Sequence, residues 1–257
     1  MSHRFNRRGA LAAFGSVSLG ALIAACGGDG DSTTNVSTTD GTTTTVEPKT
    51  KSGAATSELF DDTSSCTLTV QQTEGPYYFD ADSIRSDIRE GRDGARLRLA
   101  IRVRDADSCD PLPNAVVDIW HCDAGGVYSG FEAASTGAGG GPGGGGPTDE
   151  EKYLRGAQVT NSDGIVEFVT IYPGWYRGRT VHIHAKVHVD NQSALTTQFY
   201  FDDDVTERVY AGKPYSEHSG RDQLNESDGI FDESLLLDLS KEDDGYVGVI
   251  SLDVQSA

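Results

Sequence analysis

The sequence predicts an all-β fold, an antiparallel β-sandwich with a few short helices and long loops. Apolar and polar residues alternate with a period of two in several segments. At residues 96–104, for example, arginines alternate with leucine, isoleucine and valine. Clusters of Asp, Asn, Ser, Gly and Pro separate these segments and predict turns. Short strands joined by such turns are typical of a β-sandwich or barrel.

The strands are predicted at residues 96–104, 115–120, 158–160, 165–169, 180–189, 194–201 and 245–252. The third and fourth of these are expected to form a hairpin, because an Asn-Ser-Asp-Gly turn lies between them. Short helices are expected at residues 82–90 and 203–211. A glycine-rich stretch at residues 137–147 cannot pack as a regular element and is expected to be a loop.

The first 25 residues resemble a secretory signal peptide, because three arginines precede an uncharged apolar run at residues 10–25. The Arg7-Arg8 pair is similar to a twin-arginine export signal, and the apolar run ends in a lipobox-like pattern on Cys26. That run is shorter than the roughly 20 residues that span a bilayer. We therefore expect an exported protein, either a cell-envelope lipoprotein with Cys26 lipidated or a secreted one. An ordinary signal peptide cut nearby is the alternative.

Residues 26–57 consist mainly of Thr, Ser, Gly and Asp and are predicted to be a disordered linker, because they offer little apolar surface to bury. Residues 58–257 are long enough for one domain with a sizeable core. The formal net charge of −19 argues against binding to nucleic acid or directly to an anionic membrane. A membrane contact is expected only through the N-terminal lipid.

Four cysteines are present, of which Cys26 is assigned to the lipid. The other three predict one disulfide and one free thiol in an exported protein. A Cys109–Cys122 bridge is disfavoured, because a strand between them would hold them about 25 Å apart. Cys66–Cys109 is the preferred pairing and Cys66–Cys122 the alternative.

The segment most informative about function is residues 172–184, which contains Tyr176, His182 and His184. The two histidines are two residues apart, so both imidazoles face the same side of a strand. Imidazole is the commonest protein ligand for metals. No acidic residue lies in this segment, so the local third ligand is the phenol of Tyr176. A phenol with a pKa near 10 needs a strongly Lewis-acidic ion to stay deprotonated, which favours Fe³⁺ over Zn²⁺.

Two further segments carry tyrosines beside glycine turns. Tyr128 follows the glycines that end the strand at residues 115–120, and a Gly-Pro turn precedes Tyr77 and Tyr78. Together the three segments resemble the intradiol ring-cleavage dioxygenases, which open catechol rings with non-haem Fe(III). The chain is most similar to the secreted relatives of protocatechuate 3,4-dioxygenase and catechol 1,2-dioxygenase. The family's antiparallel β-sandwich agrees with the periodicity.

The resemblance implies one non-haem Fe³⁺ per chain, with Tyr128, Tyr176, His182 and His184 as its ligands. It also implies a catalytic role for Tyr176, which would leave the metal and take a substrate proton. Arg179 would be the second catalytic residue, placed beside the activated ring, where its positive charge would stabilise carbanion character. The substrates would be a catechol-type molecule and O₂, and the product a cis,cis-muconate-type diacid.

The resemblance further places Gln198 near this arginine and Tyr77 or Tyr78 in the wall of the substrate pocket. A homodimer is one option for the assembly. The alternative function is a lipid-anchored, non-catalytic β-sandwich that binds aromatics or carbohydrate, and the complete set of two tyrosines and two histidines argues against it. A zinc hydrolase is a further rival, but no carboxylate base lies beside the histidines. His188 continues the same strand face and is predicted to be a surface residue.

Overall fold

The computed structural model of the protein describes residues 20–22, 33–60, 66–135, 146–189 and 192–255. Most of the predicted signal peptide, the lipidation site Cys26 and most of the glycine-rich stretch lie outside the described residues. In the described part, no helix has the length and apolar character needed to cross a membrane.

The strands, in chain order, are β1 (Gly20–Leu22), β2 (Thr34–Ser37), β3 (Thr43–Val46), β4 (Arg96–Asp105), β5 (Val116–Trp120), β6 (Arg155–Val159), β7 (Ile165–Ile171), β8 (His182–Val189), β9 (Gln192–Tyr200), β10 (Asp238–Glu242) and β11 (Gly245–Val254). The helices are α1 (Ala54–Ser57), α2 (Glu132–Ser135) and α3 (Asp203–Tyr210). Short 3₁₀ turns lie at Tyr215–Glu217, Asn225–Ser227 and Glu233–Leu235.

Two four-stranded sheets form the sandwich, one in the order β10-β11-β4-β7 and the other in the order β6-β5-β8-β9. The predicted all-β class is therefore confirmed, with one difference. Strands β4 and β11 run parallel, with Arg96 beside Gly245 and Asp105 beside Val254. The first sheet is therefore mixed. Its two central strands, β4 and β11, come from distant parts of the chain.

The core lies between the two sheets and contains the inward side chains of β4, β5 and β8, which are Leu97, Leu99, Ile101, Val103, Val117, Ile119, Ile183, Ala185 and Val187. Each fully buried aliphatic side chain of this kind contributes about 1.5–3 kcal/mol. The alternate residues of β5 and β8 point to the outer face of the second sheet. Trp120, His182 and His184 lie on that face and are nonetheless buried, so other segments cover them.

The prediction of a hairpin at residues 158–169 is wrong. Strand β6 pairs with β5 and strand β7 pairs with β4, so the turn between them carries the chain from one sheet to the other. The Asn161 side chain closes this turn by accepting the backbone N–H of Ile165 at 2.8 Å. Both strands are almost entirely buried, and each finds its ladder partner in its own sheet.

The prediction of a helix at residues 82–90 is also wrong. The segment runs in extended form along the open edge of the sandwich, with bridges from Ile84 to Ala157 and from Asp87 to Val169. It thereby links one strand of each sheet. Asp82 has a φ of 49°, which a helix does not allow. The predicted helix at residues 203–211 is confirmed by α3, whose first turn is capped by Asp202 accepting the Val205 N–H.

The linker prediction fails for residues 34–46, which form the β2–β3 hairpin. Val36 and Val46 are buried in one apolar cluster with Val116 and Val159 on the outer face of the second sheet. The backbone N–H of Thr39 also donates to the Asp82 carboxylate at 2.8 Å. β-branched Val and Thr supply enough strand preference and apolar surface to order this segment.

The structure contains the preferred Cys66–Cys109 disulfide, with a Cα–Cα distance of 5.7 Å and a sequence separation of 43. Cys122 is a free, buried thiol whose Sγ donates to the Gly174 carbonyl at 3.3 Å. Bridging cysteines that far apart restricts the unfolded chain. The disulfide therefore stabilises the folded domain.

We expect the double replacement Cys66→Ala, Cys109→Ala to lower the free energy of unfolding by about 4 kcal/mol, from the entropy of the lost loop. Urea unfolding of the oxidised protein and the variant measures the difference. Reductant should lower the midpoint of the parent protein and leave that of the variant unchanged. Equal stability of the two oxidised proteins would contradict this expectation.

Candidate metal centre

The structure brings the four predicted metal ligands together on the outer face of the second sheet. His182 and His184 lie at the start of β8, and their Nε2 atoms are 3.1 Å apart. The Oη of Tyr176 is 3.1 Å from Nε2 of His182. Tyr128 meets Tyr176 edge to face, with ring centroids 5.7 Å apart. Four potential donors from three segments of the chain therefore converge on one small volume.

Close backbone contact between two glycine turns sets the distance between the tyrosines. The turn after β5 carries Tyr128, and the turn before β8 carries Tyr176. Gly174 donates its N–H to the Asp123 carbonyl at 3.0 Å. A Cβ added to Gly126 would lie 2.2 Å from the Trp175 carbonyl oxygen. Only glycine at Gly126 permits this approach, so the two phenols are fixed by backbone packing.

Both imidazoles are held neutral, and one of them in a defined tautomer. Nδ1 of His182 lies 2.6 Å from the Thr180 carbonyl oxygen, so it carries the proton and Nε2 presents a lone pair. Burial, then the nearby charge of Arg179, lowers the pKa of His182 to about 3. Burial also lowers the pKa of His184, whose ring stacks on Trp120 at 4.9 Å. Both rings are therefore neutral at physiological pH, as metal binding requires.

The phenols are buried and, without a cation, remain protonated. Burial raises the pKa of Tyr128 and of Tyr176 above the ordinary value. Among the residues that the structure describes, the buried Oη of Tyr128 has no hydrogen-bond partner. An orphaned polar atom of this kind costs about 1–3 kcal/mol unless something binds it.

The donor set fits a highly charged metal ion that accepts phenolate ligands. Across the described ranges, no three His, Cys, Asp and Glu side chains cluster closely enough to hold a metal. The phenols of Tyr128 and Tyr176 are the additional donors that lie beside His182 and His184. A ferric ion suits this combination, because its charge lowers the phenol pKa and its preference includes hard oxygen donors.

Arg179 and Gln198, both predicted near the substrate, lie beside this centre and contact each other. Nη2 of Arg179 donates to Oε1 of Gln198 at 2.7 Å, and Nε2 of Gln198 donates to the Thr73 carbonyl at 2.9 Å. Nε of Arg179 donates to Oδ2 of Asp228 at 2.9 Å. Asp228 was missed from the sequence, because it lies in a polar segment without a motif and only the fold brings it to Arg179.

Of the two tyrosines that the sequence left open, Tyr77 faces the centre. Its ring centroid lies 4.8 Å from that of Tyr128 and 6.4 Å from that of Tyr176. The ring of Tyr78 instead lies 4.6 Å from that of Trp120, with the Nζ of Lys186 3.8 Å from its centroid. Tyr77 is therefore the one of the pair whose ring contacts the two tyrosines of the centre.

Two other histidines lie on or near this face. The prediction that His188 is a surface residue is wrong, since it is only 2% exposed. It pairs with Val116 of β5, which the N-terminal hairpin covers through Val36. His121 is buried and structural, with Nε2 2.7 Å from Oγ1 of Thr170 and Nδ1 2.8 Å from the Cys122 carbonyl oxygen.

Comparison with known proteins gives the family. A family model described as "Dioxygenase" matches residues 73–211, more than half of the chain. An intradiol ring-cleavage dioxygenase from Tetranychus urticae is 34% identical, with a TM-score of 0.68 over 74% of this chain and 95% of that one. The dioxygenase domain of a fusion with a carbohydrate-binding protein from Streptomyces is 30% identical, with a TM-score of 0.55 over 74% and 100%. The chain belongs to the intradiol ring-cleavage dioxygenases, a family that depends on non-haem iron.

Curated relatives agree with this family. Chlorocatechol 1,2-dioxygenase of Rhodococcus opacus is 30% identical over 46% of this chain and 48% of its own length. Catechol 1,2-dioxygenase of Acinetobacter baylyi is 30% identical over 58% of this chain and 48% of its own length. The chain spans about half the length of the curated relatives it matches.

We expect Gly126→Ala to separate the two tyrosines and to remove most of the bound metal. The φ of Gly126 is +84°, and the added Cβ meets a backbone oxygen, so we expect the folded protein to lose about 1–3 kcal/mol as well. Metal analysis of the purified protein and thermal unfolding measure the two effects.

Gly125→Ala is the matched control, since its Cβ would meet only a side-chain oxygen of Asp123, at 3.4 Å. It should keep its metal. Equal metal content in Gly126→Ala and the parent protein would show that the backbone contact does not set the ligand geometry.

Proposed function

We propose that the protein cleaves a catechol-type ring between its two hydroxyl-bearing carbons and incorporates both atoms of O₂, giving a cis,cis-muconate-type diacid. The observation that carries this proposal is the convergence of two phenols and two neutral imidazoles on one buried point beside a cationic arginine. The relatives named catechol and chlorocatechol 1,2-dioxygenases support the same reaction class.

One Fe³⁺ per chain would be held by Tyr128, Tyr176, His182 and His184. When bound, it supplies a Lewis-acidic, redox-active centre that makes a coordinated catecholate reactive towards O₂. The chain supplies four donors that need little rearrangement, since their rings already lie in contact. Trp120 fixes the plane of the His184 ring by stacking on it. This donor set favours an oxygenase over the zinc hydrolase and the non-catalytic binding module.

Other side chains position the substrate and its protons. Tyr176 is the more exposed of the two phenols, so its Oη is the one suited to accept a proton from the incoming catechol. Tyr77 contacts both phenol rings and offers an aromatic wall to the substrate ring. Burial opposes the charge on Arg179, but Tyr176 and Asp228 outweigh it and raise the pKa of the guanidinium. Its fixed charge would stabilise negative charge that develops on the ring.

The charges around the site favour catechols without an anionic substituent. Three cationic side chains lie between Tyr176 and the middle of β8, and each faces a carboxylate. Arg177 faces Asp222, Arg179 faces Asp228, and Lys186 faces Glu74. A ring carboxylate would therefore compete with an existing carboxylate partner for each cation. The net charge of −19 also disfavours an anionic substrate.

We also propose that the protein is exported and carries a lipid on Cys26. The arginine pair and lipobox-like pattern of the N-terminus support this proposal. The Cys66–Cys109 disulfide supports it independently, because such bonds persist in oxidising compartments. Cleavage before Cys26 would remove β1 and leave the β2–β3 hairpin attached to the domain.

The reaction is tested by supplying catechol and ¹⁸O₂ and identifying the product. We expect a diacid that contains two ¹⁸O atoms, with one O₂ consumed per catechol. Tyr128→Phe should lower kcat/KM by about 100-fold or more, the scale of losing a group at the reacting centre. Tyr172→Phe is the control, because its hydroxyl contacts Thr206 in the core instead. Wild-type protein that contains iron but consumes no O₂ with any catechol would refute the proposal.

We expect kcat/KM for catechol or an alkylcatechol to exceed that for protocatechuate by about tenfold or more, because tenfold corresponds to only about 1.4 kcal/mol. Oxygen uptake across this panel measures the ratio. A ratio below one would show that a cation in the site is available to a ring carboxylate.

A further inference from the structure

Arg179 is held from two sides by polar side chains. One end of its guanidinium donates to Gln198 and the other to Asp228. The Asp228 side chain is 3% exposed and that of Arg179 is 19% exposed, so the ion pair is largely shielded from solvent. An ion pair in such surroundings is screened less by salt than a surface pair.

Asp228 is itself fixed by the backbone. Its Oδ2 also accepts the N–H of Thr180 at 2.9 Å, and its Oδ1 accepts the N–H of Ile230 at 3.0 Å. These bonds outweigh the effect of burial and lower the pKa of the carboxyl, so it stays charged. Thr180 lies directly before the strand that carries the metal-ligand histidines. Asp228 thus fixes the position of the Arg179 guanidinium relative to the backbone that leads into β8.

Asp228 lies in the segment after α3, and a second polar contact joins this segment to the turn that contains Thr180. Oγ1 of Thr180 donates to Oδ1 of Asn225 at 2.6 Å, and the backbone N–H of Asp228 reaches the Leu224 carbonyl at 3.1 Å. Two hydrogen bonds from Thr180 thus join the segment after α3 to the turn that carries Arg179. Asp228 lies beyond residues 73–211, the part of the chain that the family model matches.

We propose that Asp228 is a positioning residue for the ring-cleavage reaction. It orients the Arg179 guanidinium and keeps it charged at the place where negative charge develops on the substrate ring. Arginine has a long, flexible side chain, so its charge is useful in catalysis only if other groups fix its direction. This inference rests on the proposed function. It adds that the segment after α3 belongs to the active site.

The test compares Asp228→Asn with wild-type enzyme in the iron-loaded full chain. We expect kcat for catechol to fall about 10- to 100-fold, with KM changed less than about threefold, because the ring still binds while the charge that stabilises the transition state is misplaced. Iron content and the visible absorption band should be unchanged, because Asp228 contacts no proposed metal ligand. Wild-type kcat in Asp228→Asn would overturn the inference.

Asp232→Asn is the matched control. Asp232 comes from the same segment after α3 and accepts the Ser234 N–H at 2.9 Å, but its side chain is not bonded to Arg179. We expect its kcat to stay within about threefold of wild type. An equal loss of kcat in both variants would overturn the inference, because it would point to a general effect of the loop.

A double-variant cycle separates positioning from simple structural support. If Asp228 acts through Arg179, Asp228→Asn should have little further effect on kcat in an Arg179→Gln background. Full additivity of the two losses would overturn the inference. Should Asp228→Asn fail to fold, Asp228→Glu keeps the charge but moves the carboxylate by one methylene. It is expected to lose several-fold in kcat, and wild-type kcat would count against positioning.

These outcomes are distinct from failure of the proposed function. A wild-type protein that binds no iron and oxidises no catechol would refute the reaction itself. An active wild type with an equally active Asp228→Asn variant would refute only the role of Asp228.

Discussion

The antiparallel pairing of β5 with β8 is the contact on which the candidate metal centre depends. Its register places Trp120 opposite His184 and Ile119 opposite Ala185. A slip of one residue would turn His182 and His184 into the sandwich core and the core side chains outwards. The same two strands also fix the starting points of the turns that carry Tyr128 and Tyr176. The apolar core thus determines where the polar donors lie, although it contains none of them.

Burial explains both the chemistry and the stability of the centre. The four donors are neutral when no cation is present, because charged phenolates or imidazoliums would be costly in this environment. A trivalent ion bound there would favour the charged form of the phenols and leave the imidazoles neutral. Arg179 is the exception, a partly buried charge that Asp228 compensates. The site therefore combines four donors that are uncharged without a bound cation and one arginine whose positive charge is balanced by Asp228.

Local sequence patterns predicted seven of the eight strands in the two main sheets, and the family resemblance named the four side chains that the structure brings together. The alternation in β4 and β8 predicts which residues face the core, and the spacing of His182 and His184 places both on one face. Contacts between distant segments were not predictable in this way. The turn after β6 has favourable hairpin residues, yet it joins two sheets, because the partners of each strand are decided by the whole sandwich. The choice between Tyr77 and Tyr78, and the role of Asp228, likewise depend on which segments the fold brings together.

Resonance Raman spectroscopy of the iron-containing protein shows whether tyrosines bind the metal. We predict that excitation into a visible absorption band enhances vibrations of tyrosine rings, and that these shift when the protein is grown with isotopically labelled tyrosine. Two phenolates bound to one ferric ion give this result, because the band arises from charge transfer between phenolate and iron. A protein that contains iron but shows no tyrosine vibrations, or that contains zinc and no visible band, would contradict tyrosine ligation of a ferric ion at this site.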